Sequence, residues 1–270
     1  MLDAAAAAAL VAERIVSLPQ CDAPVFVGLN GAQGAGKSTL ARLIAADLES
    51  RGLRCALLSL DDFYMTKVER VELACTVHPM CGTRGVPGTH DVALLEATLA
   101  AFADGGETAL PRFDKLSDDR LPRDEWAVFG GRPDVILLEG WCVGICSTDL
   151  PAWAGAINNL EAECDPDGTW FAWSRAALKC HYDKLWRRFD LLVSIEVPGW
   201  ETVIDSRLRQ EQEAMAATGR PGMDRAQVTR FAEHYERYTR ALWAAMPKRA
   251  DVLLHRDDEF GYGMAENREG

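Results

Sequence analysis

The chain has 270 residues, 48% of them hydrophobic and 26% charged, the balance of a folded domain able to bury its own core and not that of a disordered or collagen-like chain. Forty-one acidic residues against 29 basic ones leave a net charge of −12, which argues against a general nucleic-acid partner, because binding phosphates calls for a basic surface. No apolar run approaches the roughly 20 residues that span a bilayer, and the start, MLDAAAAAAL, has an acid where a secretion signal carries positive charge, so the expectation is a cytoplasmic chain, monomeric or homodimeric, with no membrane partner.

The Ala-rich start is read as a helix. PVFVGLN (24–30) is an apolar run ending at glycines and predicts a strand. KSTLARLIAADLESRG follows, with Leu40, Leu43, Ile44 and Leu48 at helical spacing and Gly52 as its stop. CALLSL (55–60) predicts a second strand, VERVELACTV a helix, and HPMCGTRGVPGT a Gly/Pro-rich loop. Asp91 can cap a helix through Leu94, Leu95, Leu99 and Phe102. The polar, turn-rich stretch 107–133 is expected over the mouth of the fold. DVILLEG (134–140), LLVSIEV (191–197) and DVLLH (251–255) predict three more strands. Helices over roughly 200–217 and 224–245 separate the last two, and the second bears the stripe Val228, Phe231, Tyr235, Tyr238 and Leu242. Continuous apolar strands alternating with helices imply a mainly parallel sheet covered on both faces, a three-layer α/β/α arrangement in one domain with insertions. The eight cysteines, at 21, 55, 75, 81, 142, 146, 164 and 180, include no CxxC pair and are expected as reduced thiols rather than zinc ligands.

Gly31 to Ser38 reads GAQGAGKS and fits GxxxxGK[ST] between a strand and a helix. Such a loop turns backbone N–H groups toward an anion at the positive end of a helix. Gly31, Ala32, Gln33, Gly34, Ala35, Gly36, Lys37, Ser38 and Thr39 are therefore the expected seat of ATP, with Lys37 at the β- and γ-phosphates and the Ser38 hydroxyl on Mg²⁺. SLDDFY places two adjacent carboxylates, Asp61 and Asp62, at the carboxyl end of a strand beside the first. They could accept a proton from an attacking hydroxyl, hold the metal, or simply cap a helix. DVILLEG delivers Glu139 at its end, an acid placed near Mg²⁺. Arg84, Arg112, Lys115 and Arg120 concentrate positive charge in polar loops of an acidic chain and suit an anionic acceptor, since arginine forks grip carboxylates bidentately. His90 could polarise a substrate hydroxyl or cap a turn. Tyr64 and Trp141, next to the motifs, could wall the pocket or belong to the core. Over roughly 205–230, Arg207 and Arg209 could reach the transferred phosphoryl group from a lid, and each also stands four residues before a glutamate, Glu211 and Glu213. Gly219, Pro221 and Gly222 would break that helix as a hinge requires.

The order strand, GxxxxGKS, helix, strand, SLDDFY and then DVILLEG resembles the P-loop small-molecule kinases that include uridine kinase, phosphoribulokinase and pantothenate kinase. TRGVPGTHD (83–91), PRFDKLSDDR (111–120), LLEGWCVG (137–144) and EQEAMAATGRPGMDRAQVTRF (211–231) are similar to the D-glycerate 3-kinases of the plant and fungal type and their bacterial relatives, over roughly residues 25–256. The resemblance implies that Asp61 is the base, with Asp62 its metal-binding or hydrogen-bonding neighbour and the roles open to exchange. It also implies that Glu139 helps hold Mg²⁺ and that Arg84, His90 and Asp91 meet the acceptor. Val86 and Pro87 depart from the RGNAGSHD of plant members. The expected activity is transfer of the γ-phosphate of ATP to a hydroxyl of a small carboxylate-bearing polyol, D-glycerate first. A kinase of another sugar, nucleoside or vitamin precursor, or a nucleotide-gated binding protein, are the alternatives.

Overall fold

The computed structural model describes residues 1–19, 22–219 and 222–264. In chain order the elements are α1 (Ala4–Val16), β1 (Val25–Gly31), α2 (Lys37–Ser50), β2 (Cys55–Ser59), α3 (Lys67–Thr76), α4 (Val92–Ala101), β3 (Glu107–Leu110), β4 (Phe113–Asp114), β5 (Asp119–Arg120) and β6 (Ala127–Gly130). They continue with β7 (Val135–Glu139), α5 (Asn159–Cys164), α6 (Thr169–Ala177), α7 (Asp183–Trp186), β8 (Leu191–Glu196), α8 (Trp200–Thr218), α9 (Arg225–Arg249), β9 (Val252–Arg256) and β10 (Tyr262–Met264).

The main sheet has the order β10-β9-β8-β1-β7-β2, parallel except for β10 at the edge. Every residue of β1 is buried, as a central strand covered on both faces requires. Its side chains alternate between two apolar layers. Val25, Val27 and Leu29 pack with α1 and α2, where Ala7, Ala8, Ala12 and Ala41 allow close approach of the helices. Phe26 joins Ile136 and Leu138 in the second layer, with Leu95 and Leu99 of α4, Trp170 of α6 and Tyr238 of α9. This is the α/β arrangement of P-loop proteins, a mainly parallel sheet flanked by helices.

Register decides where the chemistry emerges. Leu29 pairs with Glu139, and Glu139 with Ser59, so β7 and β2 end level, with β1 running two residues further to Gly31. The glycine loop after β1, the acids after β2 and Glu139 consequently share one edge of the sheet, where open α/β sheets bind ligands.

The five apolar strands expected from sequence all occur. Residues 107–133 are not loop throughout: they form two antiparallel ribbons, β3–β6 and β4–β5. β10 is an addition, too short to show in the pattern, and its Tyr262 also exchanges backbone hydrogen bonds with Leu2. The helices α5 to α7 are additions too. No disulfide joins the described cysteines, and Cys21 lies outside the described residues. Among the described residues no helix is long and apolar enough to cross a membrane.

Candidate active site

The loop of residues 31–39 is set by its glycines and anchored by its alanines. Ala32 and Ala35 are buried and tie it to the apolar layer beneath. Gly34 and Gly36 take left-handed backbone, φ 72° and 88°, which a side chain would strain. Neighbours crowd the same two positions: a Cβ on Gly34 would lie 2.4 Å from Cβ of Ser206, and one on Gly36 2.8 Å from the Tyr262 hydroxyl. Gly36 opens α2, and Lys37 is its first residue. Lys37 Nζ donates to the Ala32 carbonyl at 2.9 Å, curled back over its own loop. Burial pushes the Lys37 pKa down, against the opposing pull of Glu139 and Asp61. Ser38 Oγ donates to Glu139 Oε1 at 2.9 Å, across the sheet edge. Thr39 is exposed.

The two acids diverge. After β2 the chain makes a single tight turn, Leu60–Phe63, whose Leu60 and Phe63 are buried. Asp61 Oδ2 accepts from Lys115 Nζ at 2.6 Å. Burial pushes the Asp61 carboxyl up, but Lys115, with help from His90 and Lys37, outweighs it and holds the group below its ordinary range. Asp62 turns to the β4–β5 hairpin, accepting from Phe113 N–H at 3.0 Å and facing Arg112 at 3.4 Å. Here burial prevails over those donors, and the carboxyl is pushed up.

The loop of TRGVPGTHD is zipped to this turn: Met65 N–H donates to Thr89 O and Asp91 N–H to Phe63 O. A cavity of about 570 Å³ opens beside it, and Lys37, Ser38, Asp61, Arg84, Lys115 and Glu139 all line it, with Tyr64 and Trp141 in its wall. His90, Asp91 and Arg112 do not line it. His90 is buried, stacked on Tyr64 with ring centres 4.4 Å apart, and its Nδ1 lies 2.9 Å from the Tyr182 hydroxyl. Burial pushes its pKa down to about 4, so the ring is neutral at pH 7. Asp91 caps α4 through Leu94 N–H and pairs with Arg120 at 3.0 Å. Val86 is buried and the Pro87 carbonyl accepts from Ser174, so the departure from the plant pattern faces the core.

No family model matches the chain. It is 32% identical over 226 residues to the uncharacterized kinase mug58 of Schizosaccharomyces pombe, an alignment covering 78% of each chain. The chain belongs to the family of that kinase. It is also 28% identical over 242 residues to the chloroplastic D-glycerate 3-kinase of Arabidopsis thaliana, covering 84% of this kinase and 50% of the plant protein. Among solved structures, a D-glycerate 3-kinase from Cryptococcus neoformans matches with a TM-score of 0.74 at 27% identity, over 96% of this chain and 97% of that one.

The two arginines that the sequence offered for a lid part company in this kinase. Arg207 lines the cavity, pairs with Glu211 one turn on and lies over the Phe231 ring at 5.3 Å. Arg209 lies 5.4 Å over the ring of Phe260 and does not line the cavity. Gly219 ends α8 in left-handed backbone, and Pro221 lies outside the described residues. Phe231 and Tyr235, which belong to the apolar stripe of α9, also reach the cavity, and the Tyr235 hydroxyl donates to the Arg84 carbonyl at 3.1 Å. Their signal was spacing alone, which does not separate a core aromatic from a pocket wall. Among the described residues no cluster of three His, Cys, Asp or Glu is set to hold a metal ion. A phosphate-loop Mg²⁺ needs less from the protein, because waters and phosphate oxygens complete its shell. The bonded pair of Ser38 hydroxyl and Glu139 carboxylate is a hard-oxygen donor set that fits it.

Proposed function

We propose that this kinase transfers the γ-phosphate of ATP to a hydroxyl of a small carboxylate-bearing polyol, D-glycerate in the first instance, giving 3-phosphoglycerate. One observation carries the reading: a phosphate-loop lysine, a candidate base and an arginine able to receive a carboxylate line the same cavity. The glycerate-kinase relatives support it. In this reading the chain acts as one kinase domain.

Phosphoryl transfer needs positioning and charge stabilisation more than covalent chemistry. Lys37 exchanges the Ala32 carbonyl for phosphate oxygens, a stronger, charge-assisted bond. Ser38 and Glu139 would hold Mg²⁺, which when bound neutralises charge developing on the phosphates. Asp61 takes the proton of the acceptor hydroxyl and aims its oxygen in line. Lys115 occupies that carboxylate in the free protein, and the acceptor hydroxyl takes its place. Arg84 receives the acceptor carboxylate. Arg207, on the wall of the cavity, stands over the site, and its helix helps exclude water that would otherwise take the phosphate.

The test is a panel of acceptors assayed for ADP release with Mg·ATP, comparing D-glycerate with glycerol, neutral sugars, nucleosides and pantothenate. D-glycerate should give the highest kcat/KM. A neutral polyol or nucleoside as the better acceptor would overturn the carboxylate assignment and leave the kinase chemistry standing.

A further inference from the structure

The β4–β5 hairpin is tied down at a point the catalytic reading does not use. Phe113, at its root, is buried, and two guanidinium groups lie over its ring, Arg70 at 5.7 Å and Arg84 at 5.5 Å. Arg70 is 1% exposed. Its donors go to the carbonyls of Met65 at 3.2 Å, Gly82 at 2.9 Å and Asp118 at 2.5 Å, so it sews three loops together. Its Nη2 also lies 3.0 Å from Asp118 Oδ2, and the other oxygen of that carboxylate accepts from Arg84 Nη1.

Asp118 itself takes left-handed backbone, φ 56°, the conformation of few residues other than glycine. Such a conformation persists only where its surroundings over-determine it. Two constraints do so here. The Asp114 carboxylate accepts from the N–H groups of Leu116 and Ser117, both at 3.0 Å, closing the turn, and Arg70 grips the Asp118 carbonyl. The result is one carboxylate shared by two arginines. Arg70 is buried and fully engaged, so the surplus positive charge of the trio is presented by Arg84, which lines the cavity.

We propose that Asp118, locked by Arg70, is the positioning residue that holds the Arg84 guanidinium ready for the carboxylate of the acceptor. The inference rests on the reading of the acceptor as a carboxylate. A planar fork tied at one nitrogen presents its remaining N–H groups in a defined direction. Its rotamer freedom is spent before the acceptor arrives, so binding does not bear that cost. Asp118 and Arg70 thus act on specificity through Arg84, without touching the reacting atoms.

The test is steady-state kinetics of the full chain with D-glycerate and Mg·ATP, for Asp118→Asn, Asp118→Gly, Arg84→Ala and the double variant Arg84→Ala/Asp118→Asn. Asn and Gly both tolerate the left-handed backbone, so the turn survives while the carboxylate is lost. Both single changes at 118 should raise the KM for D-glycerate about tenfold, the worth of one charge-assisted hydrogen bond, with kcat, the KM for ATP and the Tm little changed. In the Arg84→Ala background the Asp118→Asn change should add nothing further. A parallel fall of kcat, Tm and affinity for both substrates means a merely structural role and overturns the proposal. So does an Asp118→Gly protein with wild-type KM, or effects at 84 and 118 that multiply. A wild-type chain that prefers glycerol to D-glycerate removes the carboxylate reading and this inference with it. A wild type that prefers D-glycerate beside an unaffected Asp118→Asn removes the inference alone.

Discussion

The phosphate loop is held by apolar burial, with Ala32 and Ala35 in the core below it and Ser206 and Tyr262 pressed against its glycines, whereas the β4–β5 hairpin, which lines the same cavity through Lys115 and Leu116, is held by charges. Asp62 takes the Phe113 N–H, Arg70 takes Asp118, and Lys115 lies on Asp61. Leu116 is 73% exposed, which no residue of the loop's apolar anchor approaches. The difference separates two tasks. Close packing fixes a geometry that phosphate always requires and tolerates little change. Ion pairs and side-chain-to-backbone bonds fix a hairpin that, in the proposed reading, can be altered, and the acceptor preference with it, without disturbing the core.

The comparison breaks first at the acid pair. Asp61→Asn should lower phosphoryl transfer by roughly 10²–10⁴-fold, the worth of a general base, while ATP still binds. Asp62→Asn should cost only a few-fold, because the amide oxygen can still accept from Phe113 N–H; single-turnover rates of the two variants decide it, and the reverse order would exchange their roles. On the packed side, Lys37→Ala should remove most of the activity, about 10²–10³-fold, as losing a preorganised donor to developing charge does. Its circular dichroism and Tm should stay those of the parent, since the lysine adds a charge to the loop and little to the core. On the hairpin side, Arg84→Ala should raise the KM for D-glycerate by more than tenfold, in line with the about 2–5 kcal/mol typical of a truncated buried charge pair, and should leave the KM for ATP nearly unchanged. The smallest effect is on pH dependence. Lys115 lowers the pKa of Asp61, so Lys115→Met should raise it and move the acid limb of kcat/KM, which reports the free enzyme, to higher pH. A limb that stays in place would show that Lys115 does not govern the titrating group.

The strands, their parallel sense and the loop of residues 31–39 could be read from residues that are neighbours in the chain. The helices α6 and α7 were not read from the sequence, although their Trp170, Phe171, Ser174, Leu185 and Trp186 are all buried. Asp61 was legible because register follows from strand ends. Val86 and Pro87 were legible as a departure, though not as residues turned toward the core. Arg112, His90 and Asp91 share the cationic loops and motif of the site residues, and only their partners, Asp62, Tyr182 and Arg120, separate them from the cavity lining.

What the sequence by itself determined is the proposed phosphate side: a strand, eight residues of GAQGAGKS and a helix, the contiguous backbone that suits an anion. Only the tertiary structure brought together the residues proposed for the acceptor side. Lys115 meets Asp61 across 54 residues of chain, Arg70 meets Asp118 across 48, and Tyr182 meets His90 across 92. The physical reason is the range of the forces. A helix terminus organises the residues next to it, but the partner of a charged side chain is whichever opposite charge the fold brings within reach.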